Sequence, residues 1–285
     1  IVVVIIVTAL LSGYLWTTLK SNAWSSTLSP TSVEKRLDSI TVSTVLVIIN
    51  LVYILFAVIQ FSYLFGGNEH ALIPGYTYAE YARRGFIELI VVTIINLSII
   101  LTSLNFTKWD TKLSNITLRL LLCLLVICTS IMLYSSHLRL SLYEEAYGYT
   151  YARIFAHTII TLLAILFIFS LYKVWEDRIS FIKVLIVASL LTYVTLNYIN
   201  IDVIIAKKNI NRYFKILQID VPYLQGLSYD AIPELIRLKN VEDNVIARAI
   251  EEYLNKKQSE LSQKTPWQSY NQSKQRAKNV LSELH

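Results

Sequence analysis

The sequence predicts an all-α polytopic transmembrane helix bundle, about six spans within residues 1–206, followed by a small helical extramembrane tail in residues 207–285. Three observations carry that prediction. Of the 285 residues 54% are hydrophobic and only 16% are charged, against about 25% charged in soluble domains. Mean hydropathy is +0.49. Six apolar stretches come close to or exceed the ~20 residues a helix needs to cross a hydrocarbon core. Seven Gly, five Pro and two Cys exclude collagen-like, disordered and disulfide-stapled classes.

The six stretches are 1–19, 40–65, 85–104, 118–134, 154–171 and 181–206. The fourth and fifth are short and are expected to extend into their flanks or to lie where the bilayer thins. The chain opens without Met, inside an apolar run, with no basic n-region and no small-residue cleavage site. The opening therefore reads as a chain lacking its true N-terminus and not as a signal peptide.

Six spans place the loops 20–39, 105–117 and 172–180 on one side, here side A, and 66–84, 135–153 and the tail on the other, side B. Lys and Arg in and beside the loops number nine on side A and eight on side B, so the positive-inside rule sets no orientation. Trp24, Trp109 and Trp175 fall in side-A loops, whereas side B is rich in tyrosine. Two identical pentamers stand on side B, each just before a span: Gly75-Tyr76-Thr77-Tyr78-Ala79 and Gly148-Tyr149-Thr150-Tyr151-Ala152. Two spans separate them, so a duplication would be parallel and not inverted. After the first pentamer Glu80, Arg84 and Glu88 recur at i, i+4, which lines two ion pairs along one helix face.

The tail carries +4 of the net charge of +6, with 13 Lys+Arg against 9 Asp+Glu. Asp230 is the expected N-cap of a first tail helix, with Pro233 in its first turn and an end near Leu238. Asn240 and Asp243 resemble a capping pair for a second helix ending near Lys257, with Val245, Ile246, Ile250 and Leu254 on its apolar face. Beyond Pro266, residues Ala277, Val280, Leu281 and Leu284 form another stripe. Such stripes must pack on each other, on the membrane body or on a partner.

No P-loop, dinucleotide fingerprint, zincin helix or nucleophile elbow is present, so the strong catalytic motifs are missing. Cys123 and Cys128 are five apart on one span, about 140° around a helix, which suits packing thiols and not a redox pair. Ionisable side chains near hydrocarbon are costly and point to function. The polar cluster expected on side B comprises Arg83, Arg84, Glu88, His137, Arg139, Glu144, Glu145, Arg153, His157 and Asp202. Within it His137 and His157, on adjacent helices, are the candidates for a haem or metal, but two ligands are too few for a closed zinc site and no cofactor is expected.

Four segments, Tyr81-Ala82-Arg83-Arg84-Gly85-Phe86-Ile87-Glu88-Leu89, Leu142-Tyr143-Glu144-Glu145-Ala146-Tyr147-Gly148-Tyr149-Thr150, Asn209-Ile210-Asn211-Arg212-Tyr213 and Asp230-Ala231-Ile232-Pro233-Glu234-Leu235, with the later Trp267, add a family likeness. In that order they resemble, over about residues 60–280, a bacterial family of polytopic membrane proteins catalogued as a domain of unknown function, the 4173/4153 type. The family pattern has Leu where this chain has Tyr149. The resemblance implies a multi-pass protein of the bacterial cytoplasmic (inner) membrane with further spans before the first one here, and it supplies no activity.

Two functions follow as expectations. One is a non-enzymatic scaffold or sensor, embedded in the lipid bilayer, whose tail and tyrosine-rich segments bind a protein partner or a second copy. The other is a transporter or membrane-embedded enzyme using Glu88, Glu144, Glu145, His137, His157 and Asp202 to handle protons or substrate. An enclosed, water-accessible cavity joining at least three of those six groups favours the second, whereas dispersed, lipid-facing positions favour the first. Nucleic acid is not an expected partner, because the tail cations are not interleaved with aromatics.

Overall fold

The computed structural model describes residues 12–13, 37–65, 78–108, 111–176, 180–263, 266 and 270–283, without the side chains of 60–65 and 78–85. The expected first span apart from residues 12–13, Trp24, Trp109, Trp267, Leu284, most of the first pentamer, and the side chains of Glu80, Arg83 and Arg84 lie outside the described residues.

Among the described residues five helices are long and apolar enough to cross a membrane. They are α1 (Ser39–Phe65), α2 (Tyr78–Phe106), α3 (Lys112–Tyr147), α4 (Tyr151–Trp175) and α5 (Phe181–Tyr198). This is a polytopic all-α membrane protein. Apolar side chains cover these helices all round, which leaves the bilayer and not water as the solvent for their outer faces: Ile40, Leu51, Leu55 and Val58 of α1 point outward. The bundle core lies where α1 and α2 pack on α3, around Leu46, Ile100, Leu118, Leu122 and Leu125.

Polar ties cross the same interface. Tyr53 donates to Asn96 Oδ1 at 2.7 Å, Asn96 Nδ2 to Thr129 Oγ1 at 2.8 Å, and Asn50 Nδ2 to the Leu121 carbonyl at 3.0 Å. Each such interhelical bond contributes about 0.6 kcal/mol in a bilayer. At side A the Leu37 N–H donates to Phe106 O at 3.1 Å, and the Lys108 N–H to Leu37 O at 2.9 Å. Thr111 caps α3 there by accepting the Ser114 N–H at 3.2 Å, and Arg119 sits 5.8 Å over the Trp175 ring.

Helix α3 has 36 residues, about 54 Å at 1.5 Å per residue, nearly twice a ~30 Å hydrocarbon core. With its start anchored at side A, its last turns, from about His137, reach beyond the hydrocarbon on side B. Helix α5 is the barest span: Phe181 alone among its residues is buried, and it packs chiefly against α4.

The expected sixth span, 181–206, is divided. Helix α5 ends at Tyr198, and a new helix, α6 (Ile201–Ile216), starts after Asn200. The cause is polar density: Asn200, Asp202, Lys207, Lys208, Asn209 and Arg212 would be costly in hydrocarbon. Residue 206, the expected boundary of the membrane body, thus lies inside α6. Asp202 stands in the first turn of α6 and not near the end of a span.

The tail continues through α7 (Val221–Gln225), a single turn at Tyr229–Ala231, α8 (Ile232–Leu235), another turn at Ile236–Leu238, α9 (Asn244–Ser262) and α10 (Gln272–Ser282). Its amphipathic stripes pack on one another. Ile205, Ile210, Ile232, Leu235, Leu238, Ile250 and Ala277 are fully buried in a second core, against which Ile154 of α4 also packs. Pro233 does stand in the first turn of α8. Asp230 is not an N-cap; its carboxylate accepts from Ser273 Oγ at 2.6 Å and ties α10 to the 229–231 turn. Asp243, not Asn240, caps α9, accepting the Val245 and Ile246 N–H groups. That helix runs to Ser262, past Lys257, and Val245 is exposed. Cys123 and Cys128 are both free thiols, the second buried.

Candidate functional site

The site forms around the three-residue turn between α3 and α4. Gly148 ends α3, its N–H donating to the Glu144 carbonyl at 2.8 Å. Its φ of 84° and ψ of 179° fall in a region essentially reserved for glycine. A Cβ there would also stand 2.5 Å from Asn209 Oδ1.

That asparagine belongs to α6 and pairs with the turn as a strand neighbour would. Its Oδ1 accepts the Tyr149 N–H at 2.8 Å, and its Nδ2 donates to the Tyr149 and Ile205 carbonyls at 2.8 and 3.0 Å. One helical turn on, Arg212 donates through Nε to the Glu145 carbonyl at 2.6 Å, through Nη2 to that of Ala146, and through Nη1 to that of Gln218 at 3.1 Å. A guanidinium at a helix C-terminus satisfies orphan carbonyls and complements the helix dipole. Burial, with the Arg153 charge nearby, holds Arg212 below its ordinary value. Arg153 donates to the Gly148 carbonyl and lies 4.3 Å over the Tyr143 ring. Asp202 accepts from the Tyr151 hydroxyl and, at 3.2 Å, from the Ser228 N–H. Tyr223 accepts the Tyr151 N–H at 3.1 Å. The tail is thereby clasped to the α3–α4 turn.

On the other side of the turn lies a second polar group. His137, Ser141 and Glu144, spaced i, i+4 and i+7, share one face of α3. His157 of α4 stands between two of them, its Nε2 3.0 Å from Glu144 Oε2 and its Nδ1 3.1 Å from His137 Nδ1. Glu144 is only 2% exposed, and its Oε1 has no hydrogen-bond partner.

With a carboxylate on Nε2, His157 carries its proton there. Its Nδ1 then accepts from His137 Nδ1–H. A proton taken up from water at His137 Nε2 lets the Nδ1 proton of His137 pass to His157 Nδ1 and the Nε2 proton of His157 pass to Glu144, which reverses every donor and acceptor in the chain without moving a heavy atom. The three side chains form one hydrogen-bonded chain, here called the wire, from the exposed His137 ring to a buried carboxyl.

The wire opens into a cleft of about 1050 Å³ between α4 and α5. Its polar end holds His137, Glu144, Glu145, Tyr149, His157 and Lys208, and its long apolar walls include Ile165, Phe169, Val184, Val187 and Leu191. Lys208 Nζ lies 4.5 Å over the Tyr149 ring. Burial pushes the Tyr149 hydroxyl up, and the Glu144 and Glu145 charges add to that.

Of the ten expected cluster residues the cleft thus joins four, His137, Glu144, Glu145 and His157. Arg153 and Asp202 belong to the clasp. Arg139, half-buried, and Glu88, exposed on α2, do not line the cleft. Among the described residues no three His, Cys, Asp or Glu side chains are placed to hold a metal ion. The expectation had no place for Asn209, Arg212, Tyr223 or Lys208. The signal available was the dense polar run 207–212 straight after an apolar stretch, with a glycine following a long helix.

A family described as "Domain of unknown function (DUF4153)" matches residues 1–238, and the chain belongs to it. The match reaches further towards the first residue than the four segments suggested, and it stops at Leu238, before α9 and α10. Comparison with curated proteins and with solved structures finds no match.

Proposed function

We propose that this member of the DUF4153 family is a proton-linked carrier of a bacterial cytoplasmic membrane, working on a ligand that enters the α4–α5 cleft from the bilayer. The observation that carries the reading is Glu144: a carboxyl group, nearly fully buried, with one oxygen on His157 and the other unpartnered. An unpaired buried carboxylate is expensive unless it takes up a proton or a ligand. A wire leading to it through two imidazoles supplies the proton, because imidazole exchanges protons in both directions near neutral pH. The bacterial location rests on the family resemblance alone.

The cleft is open and not enclosed, but it joins four of the six groups named for a proton- or substrate-handling site, and that joining supports this reading. The scaffold reading leaned on the amphipathic tail helices and on the absence of strong catalytic motifs, and the apolar faces of those helices cover each other in one core. A carrier is preferred to an enzyme because none of the strong catalytic motifs occurs in the sequence.

Proton flux into vesicles reconstituted with the protein, driven by an imposed potassium diffusion potential and read by an entrapped pH dye, tests the reading. The wild type should exceed empty vesicles, and Glu144→Gln and His157→Asn should fall to the empty level. Glu234→Gln, on the tail surface, should behave as wild type. Flux through Glu144→Gln equal to wild type, or none through the wild type, would overturn the carrier.

A further inference from the structure

We infer that the α4–α5 cleft is a binding site for an amine-headed phospholipid, its ammonium group on Glu144 and Glu145, its phosphate on Lys208 and one acyl chain along the apolar walls. The inference rests on the carrier reading and names the class of ligand carried.

The walls come first. Helix α5 has 18 residues, about 27 Å long, and the cleft follows it from Lys183 to Ile199. The cleft therefore spans most of the ~30 Å hydrocarbon thickness. Three of its four threonines do not make it polar. Thr158 donates to Ile154 O at 2.9 Å, Thr161 to His157 O at 2.9 Å and Thr192 to Ala188 O at 2.8 Å. Each hydroxyl is consumed by its own helix, so what these side chains offer the cleft is their methyl groups. A wall that is mostly apolar, with Lys183 and Thr195 as its polar exceptions towards the two ends of α5, at bilayer depth and on the barest helix of the bundle, is matched by a hydrocarbon chain. At about 1050 Å³ the volume lies at the upper end for a single bound molecule, which leaves room for a headgroup.

The headgroup is selected at the side-B end. Glu144 lines this end of the cleft, and its buried Oε1 lacks a donor. Glu145 stands beside it in sequence and lines the same end. Two carboxylates reject a purely anionic head and accept an ammonium, whose N–H groups donate to Oε1 while Oε2 stays on His157. Lys208, held over Tyr149 by a cation–π contact, is the cation of that end whose guanidinium neighbours are already engaged with backbone carbonyls. It faces a phosphate with a mobile point charge, as lysine commonly does. Acid pair and lysine together match a zwitterion.

The test uses the full chain reconstituted in vesicles of equal phosphatidylethanolamine and phosphatidylglycerol of matched acyl chains, then extracted in mild detergent for native mass spectrometry. The wild type should retain one lipid, with phosphatidylethanolamine enriched about tenfold, the ratio expected for one charge-assisted hydrogen bond. Glu144→Gln should retain lipid at near parity. Ala188→Trp, which fills the wall, should retain none while keeping its helical circular dichroism. Equal retention of the two lipids by the wild type, unchanged enrichment in Glu144→Gln, or a lipid-free dimer would overturn the inference. Proton flux measured on the same preparations separates the two claims: flux lost in Glu144→Gln without lipid preference overturns the ligand and leaves the carrier, and preference without flux supports the ligand and overturns the carrier.

Discussion

Two polar clusters flank the α3–α4 turn, and they are built in opposite ways. In the clasp, Asn209 spends its amide on three backbone partners and Arg212 spends its guanidinium on three carbonyls. Nothing there waits for a ligand. In the wire, His157 is used at both nitrogens, whereas the carboxylate behind it keeps one oxygen without a donor. A saturated network rigidifies its surroundings, and a network with one open position is where chemistry is held in reserve. Because the Glu144 and Glu145 backbones sit between the two, the clasp fixes the register in which the wire meets the cleft.

Breaking the saturated side gives the largest expected effect on stability. Gly148→Ala forces a side chain into a backbone region worth about 1–3 kcal/mol of strain and places a Cβ 2.5 Å from Asn209 Oδ1. Displacing Asn209 forfeits bonds worth about 1 kcal/mol each. The tail should come free of the membrane body, read as rapid proteolytic cleavage after Ile199. A variant as resistant as wild type would show that the clasp holds nothing.

Far from both clusters the tail offers a reference of small size. Lys257 and Glu260 pair at 2.8 Å on α9. The bond to Glu260 holds Lys257 above its ordinary 10.5, so that contribution is complete below pH 10.5 and is lost as pH rises through the elevated value. The bond from Lys257 holds Glu260 below its ordinary 4.5, so that contribution is complete above pH 4.5 and is lost as pH falls through the depressed value. Tail stability measured by thermal circular dichroism should therefore be flat from this pair between those limits. Solvent screening keeps the change outside them slight. A Lys257→Met variant with a new slope near neutral pH would contradict the assignment.

The described spans were legible because mean hydropathy alone identifies a bilayer helix. Their ends were less so. The apolar run 181–206 reads as one span by composition, yet Ala206, Ile210 and Tyr213 recur at i, i+4 and i+7 with Lys207, Lys208 and Asn211 between them. Periodicity, not mean hydropathy, marks α6 as amphipathic and separate. The wire was half legible: His137, Glu144 and His157 shared a side of the membrane, and the i, i+4, i+7 spacing of α3 put two of them on one face. Asp202 followed the misplaced span and went astray with it. The two halves of the clasp stood out only as family segments, 142–150 and 209–213, and their pairing was illegible for a physical reason, since Asn209 and Arg212 engage backbone groups, which every residue carries and no sequence pattern announces.

The central claim is that Glu144 exchanges a proton with water through His157 and His137. Infrared difference spectroscopy of the protein in lipid films, recorded as pH is stepped, reads this directly through the carboxylic acid C=O stretch. The account predicts a band that appears and disappears with pH in the wild type, is missing in Glu144→Gln and responds far more slowly in His157→Asn. A band that survives Glu144→Gln, or one indifferent to the loss of His157, would contradict it.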